Sequence, residues 1–297
     1  MSKFISLFTD FGFKRVFGQE ENKKLLIGFL NALFEGEFVV TDLHYHDKEQ
    51  PPETKEGRGV IYDIHCTLAD GRHFIVEMQN EINVNFDGRA LYYVARRIAI
   101  QGKKGEWHYE YAPVFGVYFM NYRDRALGRS FRTDFGIGKR CEYFVSKIVK
   151  NEHERLLQDG VLVPFADKMR MIFIQLPEFT KTAPECETDF ERWLYIMNHI
   201  KELDRIPWED HNEMWSELAE VSSVAALTPE ERFAYEEELR NKRDLEATYL
   251  AKYQAGEDHK AREIARSLLT SNMSDEFVVK HTGLSLAEVQ KLRARIV

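Results

Sequence analysis

Cysteine is scarce in this 297-residue chain: Cys66, Cys141 and Cys186 are three scattered thiols with no Cys-x-x-Cys pair. That usage excludes a disulfide framework and a zinc knuckle. Long apolar runs are missing too; none approaches the ~20 residues of a membrane-spanning helix. The N-terminus carries Lys3 and then Asp10 within an aromatic stretch, with no signal-peptide apolar core. The expectation is a cytoplasmic protein with no membrane partner. A basic excess is also lacking, since the net charge is −8, which argues mildly against a general nucleic-acid binder. The deficit is local: residues 204–249 hold 13 acids and 5 bases, and the remainder sums to neutral. There is no internal repeat and no low-complexity segment. The triplets Asp10-Phe11-Gly12 and Asp134-Phe135-Gly136 lack the glycine-rich loop and His-Arg-Asp loop of a kinase, so that reading is set aside.

What is present fits a globular chain, with 44% hydrophobic and 30% charged residues. The length allows one large domain or two modest ones. Glu20 to Phe34 places Leu25, Leu26, Phe29, Leu30 and Leu33 at helical spacing, and Asp10 is the expected cap of a preceding turn. Phe38 to Asp47 reads as a strand and Gln50 to Gly59 as a loop. Phe86 to Gly102 is an amphipathic helix. Tyr111 to Asn121 is a continuous apolar run, as in a strand buried on both faces. Cys141 to Val149 and Met169 to Leu176 read as further strands, so strands and helices alternate as in an α/β or α+β domain.

From about residue 186 the chain reads as all-helical. Phe190 to Leu203 is one helix, and Pro207 starts another. Thr228-Pro229-Glu230-Glu231 is a capping box that opens a long charged helix to about Tyr253. Ala261 to Leu269 is a short helix. Ser274 and Ser285 open two more around Gly283, and that pattern resembles a helix-turn-helix. The expected division is therefore 1–185 and 186–297.

Chemistry concentrates in Val60 to Asn80, VIYDIHCTLADGRHFIVEMQN, which reads as two strands around an Asp-Gly turn. Each apolar strand carries one acid, Asp63 and Glu77, and such acids are costly to bury unless paired or bound to a cation. A two-residue loop would set Asp63 opposite Met78. A three-residue loop with Gly71 left-handed would set it opposite Glu77, and the sequence does not choose between them. In the second register two hard oxygen ligands lie together and suit Mg²⁺ or Mn²⁺. Glu77 could instead pair with Arg72 or Arg89. His44 and His46 share a strand face and could bind zinc, but no third ligand follows at a telling spacing.

Asp63 followed by Glu77-Met78-Gln79 resembles the D…(D/E)xK signature of the PD-(D/E)XK nucleases, with Gln79 in the lysine position. The opening Thr9-Asp10-Phe11-Gly12-Phe13-Lys14-Arg15-Val16-Phe17-Gly18 strengthens the match. Together they resemble the PD-(D/E)XK nuclease family transposases, the recombination-promoting (Rpn-like) nuclease group. The resemblance implies a restriction-endonuclease-like mixed sheet flanked by helices, and a metal-dependent DNA endonuclease linked to recombination or mobile elements. It implies Asp63 and Glu77 as metal ligands and Gln79 as the group that orients the nucleophile. Gln cannot supply the usual lysine charge, and Lys14, Arg15, Arg89 and Arg97 are the candidates to replace it. Asp10, Lys14 and Glu20 are accessory candidates. Arg15, Arg89, Arg96 and Arg97 are candidate DNA contacts, because arginine forks match phosphate geometry. The other reading is a catalytically degenerate nuclease fold retained for DNA or protein binding. Whether the chain forms a homo-oligomer is left open.

Overall fold

The computed structural model describes residues 2–51, 59–105, 108–136 and 168–295. The strand expected at Cys141 to Val149 and most of the Gln50 to Gly59 loop lie outside these residues. Two compact units are present, Met1–Tyr235 and Glu236–Val297.

The first unit is built on a mixed six-stranded sheet. Its members are β1 (Leu43–Tyr45), β4 (Ile64–Leu68), β5 (His73–Gln79), β6 (Val114–Met120), β7 (Arg132–Gly136) and β8 (Met169–Gln175). Their spatial order is β1-β4-β5-β6-β8-β7. The β1–β4, β4–β5 and β7–β8 pairs are antiparallel, whereas β5–β6 and β6–β8 are parallel. Every residue of β6 is buried, as expected of a parallel strand covered on both faces. A separate two-residue pair joins β2 (Glu49–Gln50) to β3 (Val60–Ile61).

Alternation along each strand sorts the two faces. Ile64, Cys66, Leu68, Phe74, Val76, Phe115, Val117, Phe119, Ile172 and Ile174 join the main core. They pack there with α1 (Asp10–Phe17), α2 (Lys23–Leu33), α4 (Asp189–His199) and α5 (Glu213–Val221). On the opposite face, α3 (Phe86–Ala99) buries Phe86, Ala90 and Val94 against Tyr118, Phe173, Ile75 and Val114. Trp193 and Trp215 are fully buried in the same core as Phe29. For that reason the first compact unit runs to Tyr235 and takes in α4 and α5, where the sequence reading expected a boundary at 185.

Local details differ from expectation at several points, and the helix expected from Pro207 starts at Glu213, capped by Asn212. Thr9, not Asp10, caps α1: its hydroxyl accepts from the Gly12 amide at 3.0 Å. The strand expected over Phe38 to Asp47 shrinks to Leu43–Tyr45. The expected break near Tyr253 is absent, since α6 runs unbroken from Pro229 to Thr270. A lone Gly256 costs a helix only about 1 kcal/mol, and no proline stands nearby. In the second unit the end of α6 packs with α7 (Asp275–Thr282) and α8 (Leu286–Arg293) around Leu269, Val278, Leu284 and Val289. Gly283 supplies the left-handed turn between them at φ +72°.

Candidate active site

The site begins with the turn of the β4–β5 hairpin. Gly71 has φ +90°, its amide donates to Leu68 O at 2.9 Å, and the Leu68 amide donates to Arg72 O at 2.8 Å. This is the three-residue loop with a left-handed glycine. Thr67 then pairs with His73 and Ile64 with Val76, which sets Asp63 opposite Glu77. The alternative register would have turned Ile64 and Cys66 out of the core.

At Asp63 the ladder ends and the two acids close it. The Asp63 amide donates to Glu77 Oε1 at 3.0 Å, and the Met78 amide donates to Asp63 Oδ2 at 2.9 Å. Each carboxylate thus spends one oxygen on the other strand. Asp63 Oδ1 and Glu77 Oε2 take no hydrogen bond among the described residues. Glu77 is only 5% exposed, and neighbouring Tyr62 is buried.

Burial, and then the charge of Asp63, push the Glu77 carboxyl up to about 8; the Asp63 amide, Arg89 and Lys14 oppose the rise. Burial also raises Asp63, against the Met78 hydrogen bond and Lys14, while Asp10 adds to the rise. Two carboxylates so close cannot both ionise cheaply without added positive charge. The chemistry of this donor set therefore fits a hard divalent cation, for which the two unspent oxygens are available.

The surrounding candidates divide. Lys14 pairs with Asp10 at 2.5 Å and bears on both site acids. Arg89 donates to Gln79 Oε1, with its guanidinium 4.9 Å from the Phe86 ring centroid. Gln79 Nε2 in turn donates to Glu81 O at 2.9 Å. Both ends of the Gln79 amide are therefore engaged, and the amide ties Arg89 to the site. Arg15 turns elsewhere, donating to Val221 O at 3.0 Å and pairing with Glu231. Glu20 pairs with Lys23 at 3.1 Å. Arg96 donates to Pro51 O at 3.1 Å, and Arg97 reaches His73 at 3.3 Å.

Lys48 was not among the expected site residues. Its carbonyl accepts from the Tyr62 amide at 2.9 Å. Burial lowers the pKa of its ammonium and Lys14 adds to this, while Asp10 and Asp63 pull it back up. Nothing in the sequence around Lys48 marks it, because its proximity to Asp63 depends on the pairing of β2 with β3.

Compared with known protein families, residues 7–251 match the model described as PD-(D/E)XK nuclease family transposase. No curated protein and no solved structure matches the chain.

Proposed function

The chain belongs to the PD-(D/E)XK nuclease family transposases, and on that premise we propose that it is a metal-dependent DNA endonuclease acting in recombination or mobile-element biology. Nucleases of this kind generally use divalent metal ions. The observation that carries the reading is the reciprocal Asp63–Glu77 arrangement, which leaves one oxygen of buried Glu77 and one of half-buried Asp63 without a hydrogen bond among the described residues. Those oxygens would hold Mg²⁺ or Mn²⁺. When bound, such an ion supplies charge neutralisation at the phosphodiester and activation of water.

The protein's own groups do the rest. Arg89, held by Gln79, supplies the positive charge that Gln79 itself lacks, and faces the developing charge on the phosphate. Lys14, anchored by Asp10, adds a second cation beside the acids. The apolar sheet beneath Glu77 limits hydration and strengthens these interactions.

Incubation of the purified chain with supercoiled plasmid in Mg²⁺, Mn²⁺ or EDTA tests the proposal, with Asp63→Asn beside wild type. The introduced carboxamide keeps an acceptor for the Met78 amide, so the fold is retained, while cleavage falls below detection. Equal nicking by Asp63→Asn would remove the pair from the mechanism. The commitment of the Gln79 amide to Arg89 and Glu81 also favours a second reading, a nuclease fold kept for binding. A wild type that binds DNA but cleaves with neither ion would establish that one.

A further inference from the structure

The acid pair occupies one end of the β4–β5 hairpin; a different constellation occupies the same face nearer the turn. His65 and Thr67 of β4, and His73 of β5, alternate onto the face covered by α3. The chain after β1 adds His46, whose amide donates to His65 O at 2.9 Å. Ring centroids lie 4.8 Å apart for His46–His65, 5.7 Å for His65–His73 and 6.2 Å for His46–His73. One ring nitrogen from each can be chosen so that all three lie within 4.8 Å of one another. We propose that His46, His65 and His73 form a second metal site, selective for a transition-metal dication such as Zn²⁺ and separate from the carboxylate pair.

Several observations converge on this. Thr67 Oγ1 bridges His46 Nε2 at 2.6 Å and His73 Nδ1 at 2.7 Å, so one hydroxyl orients two of the three rings, as outer-shell groups do around metal ligands. His65 and His73 are buried, and His65 Nε2 is buried with no hydrogen-bond partner among the described residues. Leaving such an atom unpaired is costly, and coordination removes that cost. The burial of both rings on the sheet face favours the neutral imidazole, the form that binds metal. Three imidazoles with an open fourth position suit zinc, where the all-oxygen acid pair suits magnesium. Zn–N bonds of about 2.0–2.1 Å place tetrahedral nitrogens roughly 3.4 Å apart, so side-chain rotation of about an ångström closes the rings on the ion.

Arg97 opposes a bare dication, since its Nη2 lies 3.3 Å from His73 Nδ1. Its charge favours an ion that carries an anion, hydroxide or a phosphate oxygen, in the open position. His44 packs edge-on to His46 at 5.3 Å and lies outside the trio.

The test is a zinc titration of the tag-free, EDTA-stripped full chain against a chromophoric chelator, with melting temperature followed in parallel. Wild type is expected to take one Zn²⁺ per chain and melt higher. His46→Ala alters the ring nearest solvent and leaves the buried pair in place; it should lose at least 10-fold in affinity. His73→Gln should do the same, and Arg97→Gln should bind more tightly. Asp63→Asn should keep the zinc site, which separates this proposal from the nuclease reading. No stoichiometric zinc in wild type, unchanged affinity in His46→Ala, or loss of zinc in Asp63→Asn would each overturn it.

Discussion

Replacing Glu77 by glutamine probes the electrostatics of the acid pair directly. The new side chain is nearly isosteric, and its carbonyl oxygen still accepts from the Asp63 amide that Glu77 Oε1 holds at 3.0 Å. What disappears is a buried charge whose carboxyl is pushed from 4.5 to about 8 by burial and by Asp63. The folded protein therefore keeps this proton at pH values where the unfolded chain has lost it. The stability that comes with it is complete below about pH 4.5 and is lost as pH rises to about 8. At about 1.4 kcal/mol per pH unit that loss has a ceiling of roughly 5 kcal/mol. Asp63 titrates together with Glu77, so the expected gain is a part of that ceiling. A carboxamide never ionises and escapes the loss. Urea unfolding in EDTA should then show Glu77→Gln equal to wild type near pH 4.5 and more stable by that amount above pH 8. His65 and His73 have lowered values and run the other way, stabilising the fold as pH rises toward 6.5. Both chains carry them, so the difference between variant and wild type cancels their effect. Adding Mg²⁺ at pH 8 should stabilise wild type and leave Glu77→Gln unchanged. A Glu77→Gln protein less stable than wild type at pH 8 in EDTA would show that the buried carboxyl at Glu77 does not destabilise the fold when it ionises.

Further perturbations test neighbouring parts of the argument. Arg89→Ala should lower plasmid cleavage by about 10²–10³, the usual loss for one preorganised group. Gln79→Lys sets an ammonium against the Arg89 guanidinium and should not exceed wild-type activity; a faster Gln79→Lys would show that Arg89 is not the cation the site uses. Gly116→Ala would place a Cβ 2.4 Å from Tyr118 Oη. Tyr118 is fully buried, with its hydroxyl bonded to Ala90 O at 2.9 Å. The overpacking should cost about 1–3 kcal/mol and lower the melting temperature by several degrees, and an unchanged melting curve would show that α3 gives way freely.

Local pattern was sufficient for much of this molecule. The period-two runs of β4 and β5, the continuous apolar run of β6, the helical spacing of α2 and α3, and the caps at Thr228, Ser274 and Ser285 act over a few residues and are legible without a structure. Asp63, Glu77 and Gln79 within one hairpin, with the opening motif, were sufficient to suggest the nuclease family that the comparison then showed. The Asp-Gly dipeptide announced a turn but not its length. The three-residue loop is selected by the sheet as a whole, because only that register buries Ile64, Cys66 and Leu68 against the helices while Asp63 meets Glu77. Strand Arg132–Gly136 went unread because its first three residues are polar; Arg132 pairs with Asp134 at 2.9 Å, and more distant partners complete the network, Arg170 bridging Asp134 and Glu37 and Arg132 reaching Leu33 O at 2.9 Å. Tertiary structure alone decided which arginines remain near the acids: Arg89 stays, while Arg15, Arg96 and Arg97 are drawn off by Glu231, Pro51 and His73. It alone also gathered His46, His65 and His73, since strand pairing joins residues whose separation along the chain carries no common period.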